Sequence, residues 1–505
     1  MNEEKRARLD RALSPKVAVV VGAKKAGNEY GQLRAIKELK GKVYSVQTDE
    51  NEIPGILELG FENFKSLKDI PEDVDFVYCA VPRGPAVRFI VPDAIAKNVG
   101  GIVLYTSGFA ETAYTGNFDG VQAQEYLRKL ALDGDLNLIG PNCMGLYNPS
   151  VGLRFGAEQP LDDTAIGSVA FISQSGSQAG GFISEAHAHG IGMSKVVSFG
   201  NGIALHAADY LEYFLDDPQT TIIGAYLEGV TTSRYEQVEG ADGTKTWESI
   251  TEEGQGRRFF EILRKVAAVK PVVIWKGGIT EDSTRATRSH TGSLAANATI
   301  WDAMVRQAGA ISVHGLEEMA DTIKALQYTQ SLTGPRLGIS AVAGGHSVEM
   351  ADIFSREGLR VGDLSPESYA QLAPWFSVVG GSYRNPIEGG GNFGDEDNVI
   401  KILDILDNDP LVDAIVAEFG GGGGFARGIE AQLKRADTLV EWRKHGKKPL
   451  WIVHGGTLTR TDPENMKQVN ARLAEGGIPS FHSFSRAART LNKFVNYSRW
   501  KLGEE

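Results

Sequence analysis

His290 lies in the string Ser289-His290-Thr291-Gly292-Ser293-Leu294-Ala295, inside a glycine-containing stretch that leads into an apolar helical pattern. An imidazole nitrogen is a nucleophile, and Thr291, Gly292 and Ser293 bring hydroxyls and backbone N–H groups able to hold a transferred anion. The string suits a histidine that carries a phosphoryl group; a loop histidine that only hydrogen-bonds its neighbours has the same local sequence. Glu228 follows the apolar run Ile222-Ile-Gly-Ala-Tyr-Leu227 and precedes Gly229. A carboxylate at the carboxyl end of a central strand faces the crevice where α/β ligands bind. It can take the second ring N–H of His290 and fix its tautomer, or it can simply face solvent. Ser175, Gly176 and Ser177 follow the run Phe171-Ile-Ser173 and open a helical pattern of small residues. They form either an anion cradle or an ordinary N-cap, which are physically one device.

Near the amino terminus, Gly22-Ala-Lys24-Lys25-Ala-Gly27-Asn-Glu-Tyr-Gly31 joins a β-branched run to an expected helix. As a dinucleotide fingerprint it fails at its middle glycine, where Lys24 stands and would obstruct a pyrophosphate. Lys24 and Lys25 suit a more heavily phosphorylated ligand such as coenzyme A; a plain strand-to-helix turn with surface lysines is the alternative. Gly140-Pro-Asn142-Cys143-Met-Gly145 reads as a turn in which Asn142 can bond backbone or ligand. Cys143 has no cationic neighbour in sequence and reads as a packing residue. The runs Gly344-Gly345-His346-Ser347 and Gly420 to Gly424 remain open.

These residues need elements to hold them. Val17 to Gly22, Val43 to Val46, Asp75 to Val81 and Gly101 to Thr106 read as buried strands, with helical stretches such as Gln32 to Leu39 and Val121 to Leu132 between them. That rhythm implies parallel sheets with right-handed crossovers. Later segments repeat one another: Lys270-Pro-Val-Val-Ile-Trp-Lys-Gly-Gly278 is echoed by Lys448-Pro-Leu-Trp-Ile-Val-His-Gly-Gly456, and Gly167 to Ser173 by Gly334 to Ser340. The expected organisation is a parallel α/β domain at 1–148 and two related three-layer α/β lobes at 149–330 and 331–505. The stretch from Gly278 to Val313 is about ten residues longer than its counterpart from Gly456 to Phe481, and His290 falls in that excess. Thr231 to Gly256 is polar and without clear periodicity, so a solvated surface loop is expected there.

Over 505 residues the chain is 42% hydrophobic and 23% charged, with net charge −12 and no basic tract, which argues against a nucleic-acid surface. Its two cysteines suit a reducing cytoplasm, and no apolar run reaches the ~18 residues of a membrane span.

With these motifs in hand, the chain resembles the α-type subunit of NDP-forming acyl-CoA synthetases, the ADP-forming acetate–CoA ligase type, and more distantly succinyl-CoA synthetase. The match is carried by the glycine turn from Gly22, Thr106-Ser107-Gly108-Phe109-Ala110-Glu111, Gly140 to Gly145, Phe171 to Gly176, Tyr226-Leu-Glu-Gly229 and Ser289 to Ala295, in the family's order. The resemblance implies a Rossmann-like CoA-binding domain followed by two flavodoxin-like lobes of the succinyl-CoA-ligase type, and an acid–CoA ligase that interconverts acyl-CoA, ADP and phosphate with acid, CoA and ATP through an acyl phosphate and a phosphohistidine. His290 would carry the phosphoryl group, Glu228 would support it, and Ser175, Gly176 and Ser177 would hold the anion. Coenzyme A would sit around Gly22 to Gly31, with Val81, Pro82, Ser107, Gly108 and Asn142 nearby. Three departures stand out: Lys24 replaces a small serine, Gly344-Gly-His-Ser347 replaces Gly-Gly-Pro-Gly, and Asn385-Pro-Ile-Glu388 replaces Asn-Pro-Val-Asp. No Walker-type loop or ATP-grasp domain is recognisable, so ATP/ADP with Mg2+ is expected at a separate ATP-grasp β-subunit of a cytoplasmic hetero-oligomer, and no metal on this chain. A phosphorolytic acyl or carbamoyl transferase and a non-catalytic CoA-binding protein are the alternatives.

Overall fold

A computed structural model describes the chain except residues 117, 231–232, 240–244, 281, 284–297, 330–331, 333, 420–427, 456–461 and 504–505. The described residues divide into two compact units, Met1–Met319 and Ala320–Glu505.

The first unit opens with a helix, Glu3–Leu13, and a sheet of strands β1 (Val17–Val21), β2 (Lys42–Val46), β3 (Glu62–Phe64), β4 (Phe76–Cys79), β5 (Gly101–Leu104) and β6 (Leu138–Ile139). Their order is β3-β2-β1-β4-β5-β6, with every pair parallel. This doubly wound order reverses between β1 and β4, which opens a crevice at their carboxyl ends. The strands are near-continuous apolar runs because helices cover both faces. Val19, Val21, Val77, Cys79, Ile102 and Leu104 share one core cluster. The helix expected from Gln32 to Leu39 is shorter, Gly31–Ala35. Beyond it Lys37 N–H bonds Arg34 O, Leu39 N–H bonds Ile36 O, and Lys40 N–H reaches Val151 O, so the chain turns early to enter β2.

The second sheet of this unit uses β7 (Gly145–Tyr147), β8 (Ile166–Ser173), β9 (Met193–Ser198), β10 (Ile222–Leu227), β13 (Val272–Lys276) and β14 (Ile311–Val313), while β11 (Ser233–Glu239) and β12 (Lys245–Thr251) form a separate antiparallel hairpin. The order is β14-β13-β10-β8-β9-β7. Strand β7 runs antiparallel to β9, so one edge departs from the all-parallel expectation. The hairpin corrects the surface loop expected at Thr231 to Gly256. Its strands lacked a sequence signal because few of their residues are apolar, and of these Tyr235 and Trp247 pack against another element while Val238 and Ile250 are exposed, so no regular stripe forms. A buried ion pair, Lys195 Nζ to Asp217 Oδ2 at 2.9 Å, pins β9 to the end of the Ala207–Asp216 helix. Burial alone would raise the Asp217 pKa, but the Lys195 ammonium and the Thr220 hydroxyl outweigh it and hold the carboxyl low.

The second unit holds β15 (Leu337–Ala341), β16 (Ile387–Glu388), β17 (Ala414–Phe419), β18 (Leu450–His454) and β19 (Ser480–Phe481), in parallel order β16-β15-β17-β18-β19. The series β9-β8-β10-β13-β14 has the same layout, so the repeated segments occupy matching strands. Alternate residues of β17 and β18 enter opposite cores. Ile415, Ala417, Phe419 and Ile452 go to one, and Ala414, Val416, Trp451 and Val453 to the other. That division is the period-2 geometry of a strand buried on both faces.

Candidate active site

Among the described residues, the expected site residues of the first unit lie at the carboxyl edges of its two sheets. At the first sheet's crevice, Gly22 has φ +84°, and a Cβ there would lie 2.4 Å from Val81 Cγ1. Glycine at 22 thus lets the turns after β1 and β4 close on each other. Lys24 and Lys25 are exposed. The segment before Gly31 is a closed turn: Glu29 N–H bonds Lys25 O, Tyr30 N–H bonds Lys24 O, and Lys25 N–H bonds Glu52 Oε2 at 2.8 Å. Gly27 has φ +91° with open space where a Cβ would stand. The five-residue helix that follows is too short for an N-terminal anion device, so any phosphate contact here falls to the lysine side chains.

Val81 and Pro82 lead into helical turns from Arg83 to Ala96, with a π segment at Ala86–Ile90. Val81 O accepts from Thr106 Oγ1 at 2.6 Å, and the Arg83 guanidinium bonds Gly108 O. Ser107 is exposed, and Gly108 has φ +94°. Glu111 Oε1 accepts from the N–H groups of Gly108 (2.6 Å) and Phe109 (3.0 Å). These contacts bring the turns after β4 and β5 side by side.

The Gly140 to Gly145 loop bridges to the second sheet. Asn142 takes φ 58°, its N–H bonds Thr106 O at 3.0 Å, and its Nδ2 lies 3.4 Å from Asn201 Oδ1. Asn201 Nδ2 in turn donates to Glu111 Oε2 at 2.8 Å and Gln124 Oε1 at 3.0 Å. Met144 N–H bonds Ser198 Oγ, and its side chain fills the space above Gly176, where a Cβ would approach Met144 Cγ to 2.3 Å. Cys143 is buried and burial raises its thiol pKa, as a packing residue requires.

On the second sheet, β13, β10 and β8 are adjacent, and their carboxyl ends carry the remaining groups. Glu228 is 5% exposed, which removes the solvent-facing alternative. Its N–H and that of Gly229 both bond Gln174 Oε1, at 2.5 and 2.9 Å, and its Oε1 accepts from Tyr226 OH at 3.2 Å. On one side stands Ser175, N-cap of the 13-residue helix Gly176–Ala188, with its Oγ 3.0 Å from Ser177 Oγ and no side-chain cap bond. The first-turn N–H groups of such a helix lack intrahelical acceptors, so they are available to an anion. On the other side Lys276 is buried, with Nζ 2.9 Å from Glu228 O and 5.6 Å from the Trp301 ring centre. Burial lowers its pKa, against the pull of Glu228. The segment leaving β13 at Gly277 begins beside Glu228, because a Cβ on Gly277 would meet Tyr226 OH at 2.5 Å. His290, Thr291, Gly292 and Ser293 lie farther along it, outside the described residues.

Sequence reasoning assigned no role to Asn201, Gln174, Lys276 or Tyr226. Phe199-Gly-Asn-Gly202 offered a signal, since both of its glycines take positive φ and Gly200 packs on Pro141 O and Asn142 O. The other three stand in or next to strands, where a polar residue among apolar ones was the available clue.

Two family models match the chain. The one described as CoA binding domain covers residues 16–149, and the one described as succinyl-CoA ligase like flavodoxin domain covers 166–235 and 245–326. The acetate–CoA ligase [ADP-forming] II subunit alpha of Pyrococcus furiosus is 32% identical over 415 residues, which is 81% of this chain and 82% of that protein. The chain belongs to the ADP-forming acetate–CoA ligase α-subunit family. The acetate–CoA ligase [ADP-forming] I of Archaeoglobus fulgidus is 28% identical over 97% of this chain, which spans 64% of that longer relative. Among solved structures, the dinucleotide forming acetyl-coenzyme A synthetase 1 of Ca. Korarchaeum cryptofilum, in complex with phosphate and ADP, has TM-score 0.79 at 25% identity and covers 98% of this chain and 97% of that one.

In this ligase-family chain the second unit has put different groups at the matching strand ends. A Cβ on Gly455, the counterpart of Gly277, would meet Glu418 Oε1 at 1.9 Å, so a carboxylate takes the niche that the Tyr226 hydroxyl fills in the first unit. Glu418 accepts from Val342 N–H at 2.8 Å and pairs with His346 Nδ1 at 2.7 Å; burial raises its pKa against those bonds. Gly420 to Gly424 lie outside the described residues. His454, the counterpart of Lys276, is buried with Nε2 2.7 Å from Asn470 Oδ1, and burial lowers its pKa to about 4. The unfolded imidazole protonates near pH 6.5, so His454 costs nothing above that pH. Below it the unfolded state alone gains a proton, and stability falls until pH reaches about 4, by up to ~3 kcal/mol. Urea midpoints of the second unit at pH 7.5 and 5 should therefore separate more for the native chain than for His454→Gln; equal separations would mean that His454 titrates normally.

Proposed function

We propose that this chain is the acyl- and CoA-handling subunit of an ADP-forming acid–CoA ligase and that it works through a phosphohistidine at His290. The observation that carries the reading is the convergence of groups at adjacent strand ends. Buried Glu228 stands between the uncapped helix N-terminus at Ser175 and the root of the histidine segment, and Asn201 ties that edge to the Ser107 to Glu111 turn.

In the reaction assigned here, phosphate attacks the thioester carbon of an acyl-CoA, and CoA leaves as the thiolate, giving an acyl phosphate. A nitrogen of His290 then attacks phosphorus, and the acid departs with the electrons of the broken O–P bond. Glu228 holds the opposite ring N–H, so the attacking nitrogen keeps its lone pair and the phosphorylated ring is stabilised. The Gly176 helix N-terminus takes the charge of the anion. A small carboxylic acid is the substrate class, and CoA lies along Gly22, Lys24, Lys25, Gly27, Gly31, Val81, Pro82, Ser107, Gly108 and Asn142. Transfer to ADP with Mg2+ belongs to a separate ATP-grasp subunit. The domain limits we adopt are 1–148, 149–330 and 331–505.

Incubating the purified chain with labelled phosphate and a panel of acyl-CoAs tests the reading. Acid-labile label that requires an acyl-CoA and is absent from His290→Ala supports it and identifies the acid. A chain that takes up no label with any acyl-CoA, even with an ATP-grasp subunit supplied, refutes it.

A further inference from the structure

Among the described strands of the first unit, only β11 and β12 belong to neither six-stranded sheet. Residues 236–244 also fall between the two stretches matched by the flavodoxin-domain family model, so most of β11 is extra to that model. The hairpin leaves the chain soon after Glu228 and Gly229, at the edge described above, yet it packs on the first sheet's side of the site. Its inner face buries Tyr235, 9% exposed, against Ala110 and Val121, with Ala113, Phe118 and Trp247 around them. Tyr235 and Trp247 share this face because Gln237 pairs with Trp247 across the hairpin and lies two residues from Tyr235. Polar contacts fix the docking: Tyr235 N–H bonds Glu125 Oε1 at 3.1 Å, and Arg128, 3.0 Å from Glu125, also reaches Glu252 at 3.5 Å.

What the hairpin rests on matters. Ala110 and Ala113 lie in the short 3-10 turns that directly follow Gly108 and Phe109. Glu111, in the same turns, holds the Gly108 and Phe109 N–H groups and receives Asn201. Glu111 also lies close enough to Tyr235 to act on its phenol electrostatically. The turn after β5 is thus braced from behind by an insertion that originates at the Glu228 strand end.

We propose that Tyr235 is a positioning residue: through it the β11–β12 hairpin fixes the Ser107 to Glu111 turn in the conformation that receives coenzyme A. The inference rests on the CoA role assigned to Ser107 and Gly108. A loop held in its binding conformation spares the ligand the ordering of that loop, so the affinity depends on the brace. The brace acts on the CoA-bearing substrate and not on the anion cradle at Ser175, which lies on a different loop.

Three variants test it: Tyr235→Ala, Tyr235→Phe, and a chain with residues 236–248 replaced by a two-glycine turn. Hydrogen exchange of amides 108–116 reads the brace without any ligand, and calorimetry with free coenzyme A reads its consequence. The expected result is faster exchange across 108–116 in Tyr235→Ala and in the shortened chain, with CoA affinity about tenfold weaker, and native behaviour in Tyr235→Phe, which keeps the ring. In the labelling reaction, KM for acyl-CoA should rise while KM for phosphate stays unchanged. Unchanged exchange in folded variants overturns the brace, and altered exchange with unchanged CoA affinity overturns its role in CoA binding. If the native chain itself binds no CoA, the functional reading fails, and exchange alone then decides whether the brace exists.

Discussion

Glu228→Gln is expected to slow acyl-CoA-dependent phosphorylation of the chain by roughly 100- to 10,000-fold, the range of a positioned acid–base partner. The substitution conserves volume, and Tyr226 OH, which donates to Oε1 at 3.2 Å, can still find an oxygen acceptor. What is lost is the negative charge that would accept a ring N–H from His290. An amide can offer its NH2 instead, which favours the opposite tautomer and removes the lone pair from the attacking nitrogen. Coenzyme A binding should be unaffected, because the β1–β4 crevice and the Ser107 to Glu111 turn lie on the other sheet. Rapid-quench labelling and calorimetry separate the two quantities. A labelling rate within threefold of native would remove Glu228 from the mechanism, and a parallel loss of CoA affinity would mean that the substitution disturbed the fold.

Lys195→Ala is expected to destabilise the first unit by about 3–5 kcal/mol, the cost of leaving a buried carboxylate unpaired. Lys195 is 2% and Asp217 4% exposed at the side chain, and Gln219 Oε1 and Thr220 Oγ1 complete the cluster at 3.0 and 2.7 Å. Removing the ammonium strands Asp217, whose carboxyl is held low chiefly against its own burial. The double replacement Lys195→Met with Asp217→Leu should recover much of the loss, since neither charge then remains to be desolvated. Denaturant melts resolved for the first unit supply the comparison. A single variant that loses under 1 kcal/mol would show that water reaches Asp217.

The sequence makes the strands legible wherever they are buried on both faces, because β1, β4, β10, β13 and β18 are short apolar runs ended by glycine or proline. It also makes legible the repeat, whose matched segments occupy matching strands in the two units. Glu228 was readable as a strand-end carboxylate, though only the structure shows it buried. The Asn201, Glu111 and Gln124 network was not readable, since Asn201 lies 90 and 77 residues from the other two and meets them only when two sheet edges come together. The hairpin escaped for a related reason: its partner surface is the helix after Gly108, so its apolar residues obey that surface and not a local period. Two-residue strands such as β6, β16 and β19 are too short for any pattern to declare them.

The way the two sheets of the first unit share material has a consequence for synthesis on the ribosome. Ile203 and Ala204 belong to the core cluster of the first sheet, although they follow strand β9 of the second. Asn201 N–H and Ile203 N–H bond Pro141 O and Gly140 O, and the antiparallel strand β7 is completed only by β9. A nascent chain that has emerged as far as β6 therefore has every strand of its first sheet but an open core, and apolar surface stays exposed until the segment to Leu205 follows. The first sheet thus completes its native packing only after part of the second sheet has been translated.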